Sequence, residues 1–115
     1  LDLIVASRLG TGARLYRNLC ETSGNWLQVR LEGSSDNRDA VGAVALATVG
    51  DLALREEVFG GSTGLHPSRW KTLHFGLGAE DSVERLEILW PDGSEEVLTD
   101  IPAGQRLSLR QGELP

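Results

Sequence analysis

The sequence predicts an all-β fold, an antiparallel β-sandwich or partly closed barrel of about seven short strands with a separate hairpin at its N-terminus. Three observations predict it. Apolar and polar residues alternate through most of the 115 positions, as where Leu27, Val29 and Leu31 interleave with Gln28, Arg30 and Glu32. Almost nothing repeats at helical spacing. Gly, Pro, Asn and Asp recur between the runs, where turns need a positive or preset φ.

At the N-terminus, Leu1, Leu3 and Val5 alternate, Gly10-Thr11-Gly12 interrupts, and residues 13–18 resume the pattern. This divides the chain into a hairpin over 1–18 and a β domain over 19–115. The strand around Leu27 has one apolar and one polar face, so it is half-buried. Residues 41–49 are nearly all small and apolar, which predicts a strand covered on both faces. Gly50-Asp51 then turns the chain into a second strand over 52–59. Leu73, Phe75 and Leu77 share a face, as do Leu86, Ile88 and Trp90, while Arg85 and Glu87 face water. In Trp90-Pro91-Asp92-Gly93, Pro91 presets the first turn dihedral and Gly93 takes a positive φ, so 84–90 pairs with 94–99 through a bulge. A last strand over 106–110 points Leu107 and Leu109 inward. The long connections, 33–40 and 60–72, are where a β scaffold usually carries binding.

The chain is long enough for one domain with a modest core. Its 11 basic and 17 acidic residues give a formal charge of −6, with Lys71 the only lysine, so nucleic acid and anionic membranes are poor partners. The longest apolar run is about half what a bilayer span needs, which argues against membrane insertion. Cys20 stands alone, without an internal disulfide or zinc knuckle, and is expected to be a small, partly buried apolar residue. The chain opens at Leu1 inside an alternating pattern, as expected for a segment of a longer protein.

Candidate chemistry is sparse. Gly60-Gly61-Ser62-Thr63-Gly64 has the G-x-S-x-G spacing of a nucleophile elbow, but Pro67 follows where the elbow needs a helix. His66 and His74 are the only imidazoles, too few for a metal site that takes three or four ligands. Residues 34–39 are oxygen-rich, yet Arg38 sits where a calcium loop would place an oxygen ligand. Gly76-Leu77-Gly78 lacks the third glycine of a dinucleotide loop, since Asp81 stands there. The expectation is therefore no catalytic residue and no metal site. Binding is expected at Asn37, Arg38, Asp39 and Trp70; Trp26 and Trp70 are indoles suited to a sugar or protein contact or to a second core layer or covered edge, and His74, alternating with Leu73 and Phe75, reads as a packed or hydrogen-bonded structural histidine.

Three segments carry a family resemblance. Leu73-His74-Phe75-Gly76-Leu77-Gly78, the strand closed by Trp90-Pro91-Asp92-Gly93, and Asn37-Arg38-Asp39-Ala40-Val41-Gly42-Ala43 together resemble the ASPIC/UnbV domain, over Asn25 to Gly112. Val44 stands where the family often has Arg. Asp2-Leu3-Ile4-Val5 and Arg14-Leu15-Tyr16-Arg17-Asn18 resemble the end of an FG-GAP/VCBS repeat, the blade of a β-propeller that commonly precedes this domain. The resemblance implies a non-catalytic binding or adhesion module, secreted or at the cell surface, and adds His74, the histidine of its motif, to the expected binding residues. Its partners would be its own upstream propeller, a protein or glycan ligand, or a second copy. A second reading is a structural or self-assembling subunit of an extracellular assembly, and because the family also occurs in enediyne biosynthesis clusters, an accessory domain of a biosynthetic enzyme is a third. No cofactor is implied for this chain. Asp2 matches the last Asp of the repeat's calcium loop, and the other oxygen ligands would precede Leu1.

Overall fold

A computed structural model describes residues 1–6, 10, 12–21, 24–61 and 70–113. These residues form an all-β structure without helices. The hairpin expected at the N-terminus is present as β1 (Leu3–Ala6) and β2 (Ala13–Tyr16), paired from Leu3↔Tyr16 to Ala6↔Ala13. Asp2 closes its open end, accepting a hydrogen bond at Oδ1 from the Asn18 amide at 2.8 Å. Every residue of both strands is exposed.

Seven further strands make two sheets. They are β3 (Asn25–Glu32), β4 (Val44–Val49), β5 (Leu52–Glu57), β6 (Thr72–Gly78), β7 (Ser82–Leu89), β8 (Glu95–Pro102) and β9 (Gln105–Arg110). One sheet has the order β6-β3-β9, the other β5-β4-β7-β8, and they do not close into a barrel. The core is a single cluster between them. Leu27, Val29, Leu31, Leu73, Phe75, Leu77 and Leu109 enter from the first sheet; Ala45, Ala47, Val49, Val83, Leu86, Ile88 and Ile101 enter from the second. Each fully buried Leu or Phe contributes on the order of 1.5–3 kcal/mol.

Turn chemistry fixes the registers. Gly50, at φ 56°, is the first of two residues between Val49 and Leu52, which directs β5 back along β4. At the β7–β8 corner the Gly93 amide donates to the Trp90 carbonyl and the Trp90 amide to the Ser94 carbonyl, with Gly93 at φ 88°. That is the expected turn and bulge. Trp90 is buried beneath it, its indole Nε1 donating to Glu96 Oε2 at 2.5 Å.

Three local readings need correction. The strand expected from residue 41 begins only at Val44, because Ala40 and Gly42 take φ 52° and 90° and the Ala43 amide turns back to the Ala40 carbonyl. Nor is it fully covered: Ala45, Ala47 and Val49 are buried, whereas Val44, Leu46 and Thr48 are half-buried on the outer side. Cys20 is exposed rather than partly buried, since it lies in the link before β3 and outside the core.

One ladder in the sandwich is parallel. β9 runs alongside β3 from Leu27↔Gln105 to Glu32↔Arg110. The chain reaches it from β8 of the other sheet through a short corner. There the Ala103 amide donates to the Asp81 carbonyl, and the Gly104 amide to the Trp26 carbonyl at 2.7 Å. Gly104 takes φ 75°, so the corner lays β9 down beside the middle strand instead of folding it back on β8.

Candidate functional site

Strand alternation decides what the outer face of the three-stranded sheet displays. Because Leu27, Val29 and Leu31 point into the core, Trp26, Gln28, Arg30 and Glu32 point out. The antiparallel register sets His74 beside Gln28 and Thr72 beside Arg30; the parallel one sets Arg106 on the other side of Gln28. A row of planar groups therefore crosses the sheet.

The row is connected from end to end. The Trp70 ring lies 5.6 Å from Arg106 Cζ, within range of a cation–π contact. Arg106 Nε donates to Gln28 Oε1 at 2.9 Å, and Gln28 Nε2 lies 3.4 Å from His74 Nδ1. The imidazole in turn stacks on Trp26, with ring centroids 6.4 Å apart and planes at 14°. Arginine can only donate, so it fixes the amide with its oxygen toward Arg106 and its nitrogen toward His74. His74 Nδ1 is then the acceptor, which puts the neutral ring's proton on Nε2. Gln28, the buried polar residue of this face, is thus satisfied on both sides.

Next to the row lies an ion cluster. Asp39 accepts from Arg30 Nη2 through Oδ1 at 3.0 Å and from Lys71 Nζ through Oδ2. The Lys71 hydrogen bond holds the Asp39 carboxyl below its ordinary range, helped by the charges of Lys71 and Arg30 and opposed by partial desolvation. Two clefts flank His74 and share Leu1. One of about 440 Å³ runs past Trp26 and Gly76, and one of about 310 Å³ past Trp70, Thr72, Glu56 and Glu57.

Of the expected binding residues, the fold brings Trp70 and His74 into one row and sets Asp39 beside it. Asn37 and Arg38 do not join them. The Asn37 amide donates to the Val41 carbonyl at 2.8 Å and accepts from the Val41 amide at 3.0 Å, a local clamp on the loop. Arg38 is exposed, and its carbonyl receives the Gly33 amide. Beyond Asp39, this loop is tied to Gln111 and through it to the turn at Asp92. Gln111 Oε1 accepts from Ser34, and Gln111 Nε2 donates to Asp92 Oδ2 at 2.7 Å. Hydrogen bonds from the Ser94 hydroxyl and amide, then from Gln111, hold the Asp92 carboxyl below its ordinary range.

Sequence reading missed Gln28, Arg30 and Arg106 as site residues. Alternation places Gln28 and Arg30 on an outer face, but only the parallel β3–β9 ladder brings Arg106 to them. Ser62 and His66 lie outside the described residues. Among the described residues, no three His, Cys, Asp or Glu side chains are grouped to hold a metal ion.

Residues 33–114 match the family described as ASPIC and UnbV. No curated protein matches the chain. The match begins one residue after β3, although β3 is the middle strand of its sheet and supplies Leu27, Val29 and Leu31 to the core. Matched over most of its length, this chain belongs to the ASPIC and UnbV family.

Proposed function

We propose that this chain is an extracellular binding or adhesion module, carried behind a β-propeller, that works by contact through the outer face of its three-stranded sheet. The observation behind this reading is the pairing of Trp70, 55% exposed, with the Arg106 guanidinium. A large apolar ring held in water by a neighbouring side chain is ready to cover a partner, and Trp and Arg are the residue types that dominate binding hot spots. His74 favours contact over catalysis, since its Nδ1 faces an amide and its ring is stacked. The ligand is a protein or a glycan of the extracellular space. Printing matrix proteins and glycans on one array tests this: the chain binds a subset, and Trp70→Ala loses that binding by about tenfold or more. Unchanged binding by the variant would remove this face from the reading.

A second reading rests on the hairpin. Leu3, Ile4, Val5, Leu15 and Tyr16 are all at least 45% exposed. An isolated two-stranded sheet of this kind is marginal in water, so an upstream propeller or a second copy covers it. Light scattering of the chain with and without residues 1–18 separates these partners. A monomer in both forms leaves the propeller, whereas a dimer that dissociates on removal of the hairpin identifies self-association.

A further inference from the structure

We infer that the ligand of this face is an acidic glycan, a chain of sugars bearing uronate carboxylates; the inference rests on the binding reading above and specifies its ligand. The row Trp70, Arg106, Gln28, His74 and Trp26 is made entirely of planar side chains linked side to side. Indole faces take the apolar faces of sugar rings, and planar amide and guanidinium groups take their hydroxyls and carboxylates. Gly76 continues this surface without a side chain, and a Cβ built there meets nothing within 4 Å, so the sheet backbone beside Trp26 is open to a ring laid flat.

Charge selects the acidic member of that class. The chain as a whole carries −6, yet on this face Arg30 and Lys71 close on the carboxylate of Asp39, and Arg106 lies across Gln28 and Trp70. Asp39 is already held by Arg30 and Lys71, which leaves Arg106 as the cation of the row without a carboxylate partner among the described residues. Its Nε is engaged by Gln28 and its guanidinium lies on the Trp70 ring, while its two terminal nitrogens have no hydrogen-bond partner among the described residues, a fork suited to meet a carboxylate edge-on. Acidic side chains border the same face. Glu56 and Glu57 line the cleft on the β5 side of Trp70, where Glu57 is paired with Arg55 at 2.9 Å, whereas Arg106 is on β9 at the far edge of the sheet. Glu32 is opposite Arg110 in the β3–β9 register, and Arg110 itself pairs with Glu113 at 3.2 Å. A uronate chain crossing from β6 to β9 would place hydroxyls near the glutamates and a carboxylate over Arg106.

Titration calorimetry with tetragalacturonate and its carboxyl-reduced, neutral counterpart tests the inference, using the full chain, Arg106→Gln, Arg106→Lys and Trp70→Ala. Thermal melts confirm that each variant is folded. The acidic tetrasaccharide is expected to bind at least about tenfold more tightly than the neutral one. Both Arg106 variants should erase most of that difference, because lysine keeps the charge but loses the planar fork. Trp70→Ala should weaken both sugars alike. Equal affinity for the two sugars, or binding of neither while Trp70-dependent binding of a protein persists on the array, overturns the acidic-glycan ligand and leaves the binding reading standing. Absence of Trp70-dependent binding to anything overturns both.

Discussion

The two outer faces of the sandwich are built differently from the same alternation. On the four-stranded sheet the polar groups pair along a strand: Arg55 with Glu57 at 2.9 Å and Arg85 with Glu87 at 2.5 Å, each two residues apart and exposed. On the three-stranded sheet they pair across strands, and the bond from Arg106 to Gln28 joins residues 78 positions apart. Pairs along a strand form wherever that strand extends, so they say little about the fold and contribute little to it. The cross-strand row exists only once β3, β6 and β9 are assembled. Its side chains hold one another in place, which is the preorganisation that the proposed recognition would draw on.

Both faces stand on one core, and the largest expected effect shows it. Leu27 and Leu86, fully buried on opposite sheets, should each cost about 2–5 kcal/mol when replaced by Ala, with a single cooperative transition in chemical denaturation. Separate transitions for the two variants would split the sandwich into independent sheets. Gln28→Ala comes next, at about 1–3 kcal/mol, because Arg106 loses its acceptor and His74 its amide partner. The same substitution should broaden the His74 and Trp26 ring signals in NMR spectra and leave those of Trp90 unchanged.

The acid limb separates the faces further. Asp39 has a lowered folded-state pKa, so its contribution is present above the ordinary carboxylate range and is lost as pH falls through the lowered value. The stability gap between the protein and Asp39→Asn should accordingly be full at neutral pH and close under acid conditions, read from melting temperatures across that range. Arg85→Ala on the opposite face is the smallest effect. Its exposed pair should change stability by no more than about 0.5 kcal/mol, and high salt should remove even that.

Much of the fold was legible because it depends on local periodicity. Leu27, Val29 and Leu31 announced a half-buried strand, and Trp90-Pro91-Asp92-Gly93 specified its own turn down to the positive φ of Gly93. What was not legible is non-local or strained. Nothing around Gln105 signals a parallel partner, because that ladder follows from the corner at Gly104 and its bond to the Trp26 carbonyl. Positive φ at Ala40, a residue type that rarely adopts it, shortens β4 against an apolar run that reads as strand. The candidate site divides the same way. Trp70 was visible as an indole suited to contact and His74 through the family motif that contains it, whereas Asn37 serves its own loop and Arg106 required the ladder.

The three tryptophans offer the most direct measurement. Trp26 and Trp70 stand exposed on the three-stranded face, while Trp90 is buried with its indole Nε1–H bonded to Glu96. In an NMR titration with a ligand retained on the array, the indole N–H signals of Trp26 and Trp70 should shift and that of Trp90 should stay in place. Shifts confined to Arg85, Glu87 and their neighbours on the other sheet, with Trp26 and Trp70 unmoved, would contradict the assignment of recognition to the planar row.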